Sequence, residues 1–193
     1  NNDTSKIPSL NIGGGELSYQ NGQFRIKDEN GNLSQLGISS GVTLSHSSII
    51  AENIIQTIIK QDIEYELLLD KDKHIGESII YFNDTDNTIE FLTNGSFFII
   101  YNVSVENINN IKQNAVNCYM KLKTSQIDYT IIDESISYTN VAQNGFGFSS
   151  LVSSFVLNCE KDYKLKLFIK KTNGAGVITT IPKSISISIF KIE

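Results

Sequence analysis

The sequence predicts an all-β protein built as an antiparallel β-sandwich, and three observations support that fold class. After about residue 61 the chain is a succession of short runs with apolar residues at alternate positions, which is the period of a strand. Turn-forming pairs such as Asn94-Gly95 and Asn173-Gly174 separate these runs. No helix-length pattern interrupts them, which disfavours a parallel sheet with crossover helices.

Residues 1–45 are predicted to form a turn-rich N-terminal β-hairpin arm. The stretch LSYQNGQFRIKDENGNLSQLG consists of short strand-like runs separated by Asn21-Gly22 and Asn30-Gly31, which favour two-residue hairpin turns. Two hairpins of this size are too small to make a core alone. The arm is therefore expected to lean on the main domain or on other chains.

Residues 46–61 are interpreted as a short helical neck between the arm and a head domain at 62–193. Ile50, Ile54 and Ile58 lie at the spacing of one helix face. Because isoleucine is β-branched, a strand remains open for the same segment.

The run TNGSFFIIYNVSVE, residues 93–106, is predicted to be a strand whose two sides are both apolar at its start. One alternate set, beginning with Phe97, is apolar throughout and predicts a core face. The other set begins with Phe98 and Ile100 and then becomes polar, although a solvated sheet face would be polar all along. Two covers for these side chains remain open: a loop of the same chain or a second copy of it.

Charge and hydropathy exclude two classes of partner. The net charge is −5 and the lysines and arginines form no cluster, so nucleic-acid binding is not expected. No apolar run approaches the roughly 18 residues that span a bilayer, so membrane insertion is not expected. Cys118 and Cys159 fall on apolar sides of strand-like runs, which predicts buried free thiols.

The sequence contains no recognisable catalytic constellation. His46 and His74 are the only histidines, and neither has a Ser, Cys or metal-ligand partner at a known spacing. Asp133 and Glu134 are a carboxylate pair, but neighbouring strand residues point to opposite faces, which favours a solvated turn over glycosidase chemistry. We therefore expect a protein that is not an enzyme, with no catalytic residue and no cofactor.

The segment NDTDN is the weak candidate for a metal site. Asp84, Asp86 and Asn87 offer oxygen ligands of the kind that calcium accepts. The segment lacks the glycine and the bidentate glutamate of an EF-hand loop, so a polar hairpin turn is the preferred interpretation and no metal is predicted.

The segment VAQNGFGF is the candidate receptor-binding loop. In Gly145, Phe146, Gly147 and Phe148, two aromatic side chains alternate with glycines. Exposed phenylalanines are costly without a partner, and aromatic residues are enriched where binding energy concentrates.

The order of the runs also resembles a known family. NTIEFLTNGSFFIIYNVSVE is similar to the strand, turn and aromatic-rich strand of trimeric jelly rolls of the complement and tumour-necrosis-factor superfamily. The residues that match this pattern are Ile89, Phe91, Gly95, Phe97, Ile99, Tyr101 and Val103. SSLVSSFVLNCEKDYKLKLFIKK and the closing SISISIFKIE resemble the later strands, so the likeness covers residues 62–193. It is closest to bacterial and phage versions, such as the heads of collagen-like spore-surface glycoproteins, although Gly-X-Y repeats are absent here.

The resemblance implies a homotrimeric jelly-roll head that is not an enzyme. Phe98, Ile100, Phe190 and Ile192 are then the candidates for the contact around the threefold axis. Because the arm resembles phage fibre and baseplate segments, we expect the head of a phage or viral fibre on the virion surface. It would bind a host cell-surface glycan or protein receptor and join a larger fibre or virion assembly through the arm.

Two alternatives stay open. The first is a structural or adhesive head of an extracellular spore-surface or cell-surface filament, with the same fold. The second, from a different functional class, is a lectin-like or carbohydrate-active β-sandwich.

Overall fold

The computed structural model confirms the all-β prediction. It describes residues 10–12, 15–20, 23–27, 33–35, 45–51, 55–58, 60–69, 75–76, 79–108, 113–142 and 147–192. The chain divides into two compact units, Asn1–Thr43 and Leu44–Glu193. Within the described ranges, regular structure is almost entirely strand.

The first unit contains a four-stranded antiparallel sheet whose strands are neighbours in chain order. They are β1 (Leu10–Ile12), β2 (Gly15–Gln20), β3 (Gln23–Lys27) and β4 (Leu33–Gln35). Gln20 pairs with Gln23, so β2 and β3 are joined by a two-residue connection, the length predicted from Asn21-Gly22, which itself lies outside the described residues. Leu17 pairs with Ile26, so the register places apolar residues opposite each other.

The second unit is a sandwich of two antiparallel sheets, the front sheet and the back sheet. The front sheet contains β5 (His46–Ala51), β6 (Thr57–Ile58), β8 (Ile75–Gly76), β11 (Gly95–Asn107), β15 (Gly147–Cys159), β17 (Ile178–Thr180) and β18 (Ile185–Lys191). The back sheet contains β7 (Glu64–Glu66), β9 (Ile80–Asn83), β10 (Thr88–Phe91), β12 (Asn114–Lys123), β13 (Thr130–Ile131), β14 (Ser137–Val141) and β16 (Lys164–Asn173).

Many spatial neighbours in the two sheets are far apart in sequence, as in a jelly roll, although β9 pairs with β10 and β12 pairs with β13 and β14. The front order is β6-β17-β11-β18-β5-β8, with β15 along the other side of β11. The back order is β13-β12-β16-β10-β9, with β14 beside β12 and β7 beside β16. The central strand β11 is therefore flanked along much of its length by β15 and β18.

The core lies between the two sheets and is centred on β11. Phe97, Ile99 and Tyr101 point inward and are fully buried, as the alternation predicted. The facing layer comes from β16 of the back sheet, and β18 extends the inward layer of the front sheet beside β11; the buried residues of these two strands are Leu165, Leu167, Ile169, Ile185, Ile187 and Ile189. Cys118 and Cys159 are buried in the same core, which confirms the predicted burial of both side chains.

Tyr101 joins the two sheets through its hydroxyl. The hydroxyl oxygen lies 2.8 Å from the carbonyl oxygen of Cys118 on β12 and 2.5 Å from that of Ser135, and its single hydrogen is shared between the two acceptors. Ser135 belongs to one 3-10 turn, Asp133–Ser135. Burial raises the pKa of Tyr101 well above its ordinary value, so the hydroxyl stays protonated and remains a donor.

The helical neck predicted for residues 46–61 is wrong in the residues that the structure describes there. His46–Ala51 form β5, which pairs antiparallel with β18, and Thr57–Ile58 form β6 beside β17. Burial along β5 follows a period of two, with Ile49 inward and Ile50 outward. The β-branched isoleucines suit a pleated strand, and pairing with the distant β18 selects that conformation over a helix.

Tyr101→Phe is expected to destabilise the sandwich, because two core carbonyls lose a hydrogen-bond donor. We expect the free energy of unfolding to fall by about 1 to 3 kcal/mol, measured by urea denaturation. The control is Tyr138→Phe, since that side chain is 70 % exposed, and its expected change is below about 0.5 kcal/mol. Equal losses in the two variants would contradict a stabilising role for the buried hydrogen bonds.

Candidate functional site

The outward side of the front sheet forms one continuous surface, the front face, made by the outward residues of β15, β11, β18 and β5. Cross-strand pairing arranges these residues in rows. The first row contains Val156, Phe98, Phe190 and His46. The second contains Ser154, Ile100, Ser188 and Ser48. The third contains Val152, Asn102, Ser186 and Ile50. Large apolar side chains thus lie beside small ones across four strands.

An aromatic cluster occupies the first row. The ring of Phe190 stacks on His46, with centroids 4.4 Å apart and an interplanar angle of 22°, and lies 6.4 Å from the ring of Phe98. His46 Nε2 is 2.8 Å from the hydroxyl of Ser48, which is 3.2 Å from that of Ser188. Because these contacts exist within one chain, the cluster is ordered in the single chain.

The single chain leaves large apolar side chains of this surface open to solvent. The exposed fractions are 58 % for Phe148, 56 % for Val152, 55 % for Val156 and 45 % for Ile192, which follows β18. Phe98, Ile100 and Phe190 are half-buried. Grouped exposure of this kind marks an interaction surface on a folded protein.

The front face is almost free of charge. Among the described residues that point outward on these four strands, Glu106 is the one formally charged side chain and His46 the one titratable imidazole. Charged residues are 19 % of the whole chain, so a solvated surface of this extent would carry several. Depletion of charge together with exposed aromatic and aliphatic side chains is typical of the centre of a protein–protein interface.

The outward side of the back sheet has the opposite character. Its ion pairs are Lys121–Glu64, Lys123–Asp128, Lys164–Glu90, Lys166–Glu66 and Lys170–Asp62, with N···O distances from 2.6 to 3.5 Å. Each pair contributes little stability at the surface, but together they keep this side compatible with water. The candidate site is therefore the front face and not the back sheet.

Glu64 ties the short strand β7 to β12. Tyr119 donates its hydroxyl hydrogen to Glu64 Oε1 at 2.5 Å, and Lys121 Nζ donates to Oε2 at 2.6 Å. Burial acts to raise the pKa of Glu64, but the hydrogen bonds from Lys121 and Tyr119 and the nearby ammonium charges outweigh it, so the pKa is lowered. The carboxylate form is thus the one that holds β7 in place.

The candidate receptor loop is only partly within the described residues. Gly145 and Phe146 lie outside them, whereas Gly147 and Phe148 are the first residues of β15 and not loop residues. A Cβ atom at Gly147 would lie 2.4 Å from the carbonyl oxygen of Ala142, so the close approach of the two segments requires glycine. Phe148 points outward opposite Glu106 and so belongs to the front face.

A buried polar cluster fastens three connections at the same end of the sandwich. Asn107 Nδ2 donates to the carbonyl of Ala142 at 3.4 Å, which links the end of β11 to the end of β14. The amide of Gly176 donates to Asn114 Oδ1 at 3.0 Å, and Lys171 Nζ donates to the carbonyl of Gly176 at 2.8 Å. The described ends of these connections are therefore held by hydrogen bonds inside the protein.

The calcium candidates are not gathered into a site. Asp84 and Asp86 are exposed, whereas Asn87 is buried. The Asn87 Oδ1 accepts the amide of Leu69 at 2.9 Å, and its Nδ2 donates to Leu67. The Asn87 side-chain amide is thus occupied by hydrogen bonds to the backbone of the segment that contains Leu67 and Leu69.

The residues considered for catalysis form no common site in the described part of the chain. His46 lies on the front face, His74 lies outside the described residues, and Asp133 and Glu134 are both exposed in the 3-10 turn. Within the described ranges, His, Cys, Asp and Glu form no group of three or more that could hold a metal ion. The described residues also contain no helix long and apolar enough to cross a membrane.

The fold and its strand order define a jelly-roll β-sandwich of the tumour-necrosis-factor-like type, as predicted. Eiger TNF from S. frugiperda superposes with a TM-score of 0.53 and 9 % identity, over 78 % of this chain and 94 % of that one. Murine APRIL superposes with a TM-score of 0.53 and 9 % identity, over 76 % and 99 %. No protein-family model and no curated protein matches the sequence. At this identity the likeness concerns the fold.

Sequence reasoning found Phe98, Ile100, Phe190 and Ile192 but missed other members of the front face. His46 and Ser48 were missed because their segment was interpreted as part of a helical neck. Val152 and Val156 were missed because both alternate sets of β15 mix serine with apolar residues. The larger Leu151 and Phe155 in the inward set are the signal that distinguishes the two sides.

Glu64→Gln is expected to weaken the fold at pH 7 more than at pH 3. A carboxylate whose pKa is lowered on folding stabilises the protein above its unfolded pKa, and the contribution is lost as the pH falls through the folded pKa. Urea denaturation of the variant and the wild type at both pH values measures the difference. The control is Glu134→Gln at an exposed position, and a wild-type advantage over Glu64→Gln that does not shrink at pH 3 would refute the role of the carboxylate.

Proposed function

We propose that the chain is the homotrimeric, non-enzymatic head of a phage or viral fibre and that its front faces are buried between the three copies. The observation that carries the proposal is the front face itself, an apolar surface on four strands with a single formal charge. Its exposed valines and aromatic rings suit a second protein surface better than water.

The occupant is a second copy of this chain. The serines of the second row have short side chains that project little from the sheet. A neighbouring chain can therefore approach closely around Ile100. A closed ring of identical subunits removes the apolar surface from water without leaving an open, fibre-forming contact. The trimeric jelly-roll heads that the sequence resembles supply the number of copies.

Attachment to a target follows from multivalency. Three identical heads held together place three copies of each binding loop on one rigid body, so weak sites act together through a high effective concentration. The connections near Asn107 and Gly176 are anchored by internal hydrogen bonds, which favours that end for presenting loops. A host cell-surface glycan or protein is the proposed receptor.

The first unit supports the proposal that the chain is part of a fibre. Its four short strands form one antiparallel sheet in a compact unit of its own. We assign it to attachment within a larger fibre or virion assembly, which places the head on the virion surface.

Phe98→Asp is expected to dissociate the trimer, because it puts a charge into the first row of the front face. Size-exclusion chromatography with light scattering should give three times the 21.5 kDa chain mass for the wild type and one chain mass for the variant. Tyr81→Asp, at an exposed position on β9 of the back sheet, is the control and should remain trimeric.

A second variant distinguishes dissociation of the trimer from misfolding of the Phe98→Asp variant. Val156→Asp changes an exposed side chain in the same row and should dissociate the trimer while the circular dichroism spectrum stays that of the wild type. A wild type that has one chain mass at all concentrations would overturn the proposed function.

Receptor binding is expected to depend on assembly. On a glycan array, the wild type should give at least a tenfold stronger signal than Phe98→Asp at equal chain concentration, an order of magnitude expected from avidity. Tyr81→Asp is again the matched control. Equal binding by trimer and monomer would contradict the multivalent mechanism, and release of sugar from a labelled polysaccharide would favour the carbohydrate-active alternative.

A further inference from the structure

His46 is the titratable side chain of the first row, beside Phe190 and Phe98. Its ring lies flat on Phe190, and its Nε2 has a hydrogen bond with Ser48. In the sequence, no Ser, Cys or metal-ligand residue stands at a recognised catalytic spacing from His46. Its place on a front face that is almost free of charge suggests a different role.

We infer that His46 makes assembly of the trimer dependent on pH, with the trimer formed by the neutral imidazole and weakened by the imidazolium. This inference rests on the proposed function, because it requires the front face to be buried between copies. It concerns regulation of that contact and not its existence.

The physical reason is the cost of removing a charge from water. In the separate chain, an imidazolium is half-exposed and its stacking on Phe190 is favourable, since a cation is attracted to an aromatic face. In the trimer, the same ring would be covered by apolar side chains of a neighbouring copy and lose its hydration. The stacking on Phe190 is the same contact in both states, so the loss of hydration is the effect that favours the charged form in the separate chain and the neutral form in the trimer.

The nearby charges offer little compensation on the described part of the chain. On β18, the charged Lys191 belongs to the inward side, and its Nζ is 3.3 Å from the hydroxyl of Thr93. On β11 the charged outward residue is Glu106, which lies at the opposite end of the strand from Phe98. The outward residues of β15 carry no charge, and β8 contributes Ile75 and Gly76. No carboxylate among these groups faces the imidazole.

The hydrogen bonds of the second row are compatible with the neutral ring. A neutral imidazole has one donor and one acceptor nitrogen, so Nε2 can accept from the Ser48 hydroxyl while the Ser48 oxygen accepts from Ser188. In the imidazolium both nitrogens donate, so the Ser48 oxygen accepts from Nε2 and the Ser48 hydroxyl donates to Ser188 instead. Protonation therefore reverses the direction of these hydrogen bonds without breaking them, and the pH dependence comes from the loss of hydration.

The direction of the pH dependence follows from these preferences. The trimer contains the neutral imidazole of His46. The trimer is therefore most stable above the pH range in which histidine side chains gain a proton, and it becomes less stable as the pH falls through that range. Since each trimer buries three copies of His46, the effects of the three sites multiply.

Sedimentation velocity of the full chain at pH 7.5 and pH 5.5 tests the inference. The wild type should be a trimer at pH 7.5, and its dissociation constant should rise by about tenfold or more at pH 5.5. His46→Phe keeps an aromatic ring on Phe190 without a titratable group, and His46→Gln keeps a polar neutral group. At least one of these variants should form a trimer at pH 7.5, and that trimer should persist at pH 5.5.

The outcomes separate this inference from the proposed function. A wild-type trimer that is equally stable at both pH values overturns the role of His46 and leaves the proposed function intact. Trimers of both His46 variants that weaken at pH 5.5 as much as the wild type place the sensor elsewhere and also overturn it. A wild type that is monomeric at both pH values overturns the two together. Circular dichroism of the monomeric Val156→Asp variant at pH 5.5 should show a folded chain, and unfolding there would assign the loss of trimer to denaturation and refute the inference.

Discussion

The register of β11 between β15 and β18 is the constraint on which the rest of the head depends. Successive side chains of a strand point to opposite sides, so the pairing that sends Phe97 and Ile99 into the core also sends Phe98 and Ile100 outward. A slip of one residue in that pairing would exchange the two sets. The core and the front face are therefore specified by the same hydrogen-bonded register.

The outer sides of the two sheets differ in charge. The back sheet places like charges opposite each other, such as Lys121 and Lys166, and neutralises them with carboxylates from β7. The front sheet carries valine, phenylalanine and serine in the corresponding positions. One side of the sandwich is rich in charge and the other is almost free of it, so burial of the second side from water is the more favourable.

Particular residues show where local pattern succeeds and where it fails. The side of residues 97–106 that faces the core was predicted correctly, because the inward side chains there are large and mostly apolar. The helix predicted for residues 46–61 was wrong because the spacing of Ile50 and Ile58 fits a helix as well as two short strands. Two of the partner strands, β17 and β18, are over a hundred residues away in the chain. Asn87 resembled a metal ligand because an amide oxygen has the same chemistry whether it faces solvent or the backbone of Leu69.

By itself the sequence determined the all-β class, the inner side of the central strand and four members of the front face, because each depends on the order of residues within one strand. Only the tertiary structure decided that His46, Phe190, Phe98 and Val156 form a single row, and that the charges collect on the opposite sheet. These facts depend on pairing between segments distant in the chain, and the free energy of such pairing comes from contacts that no local window of residues contains.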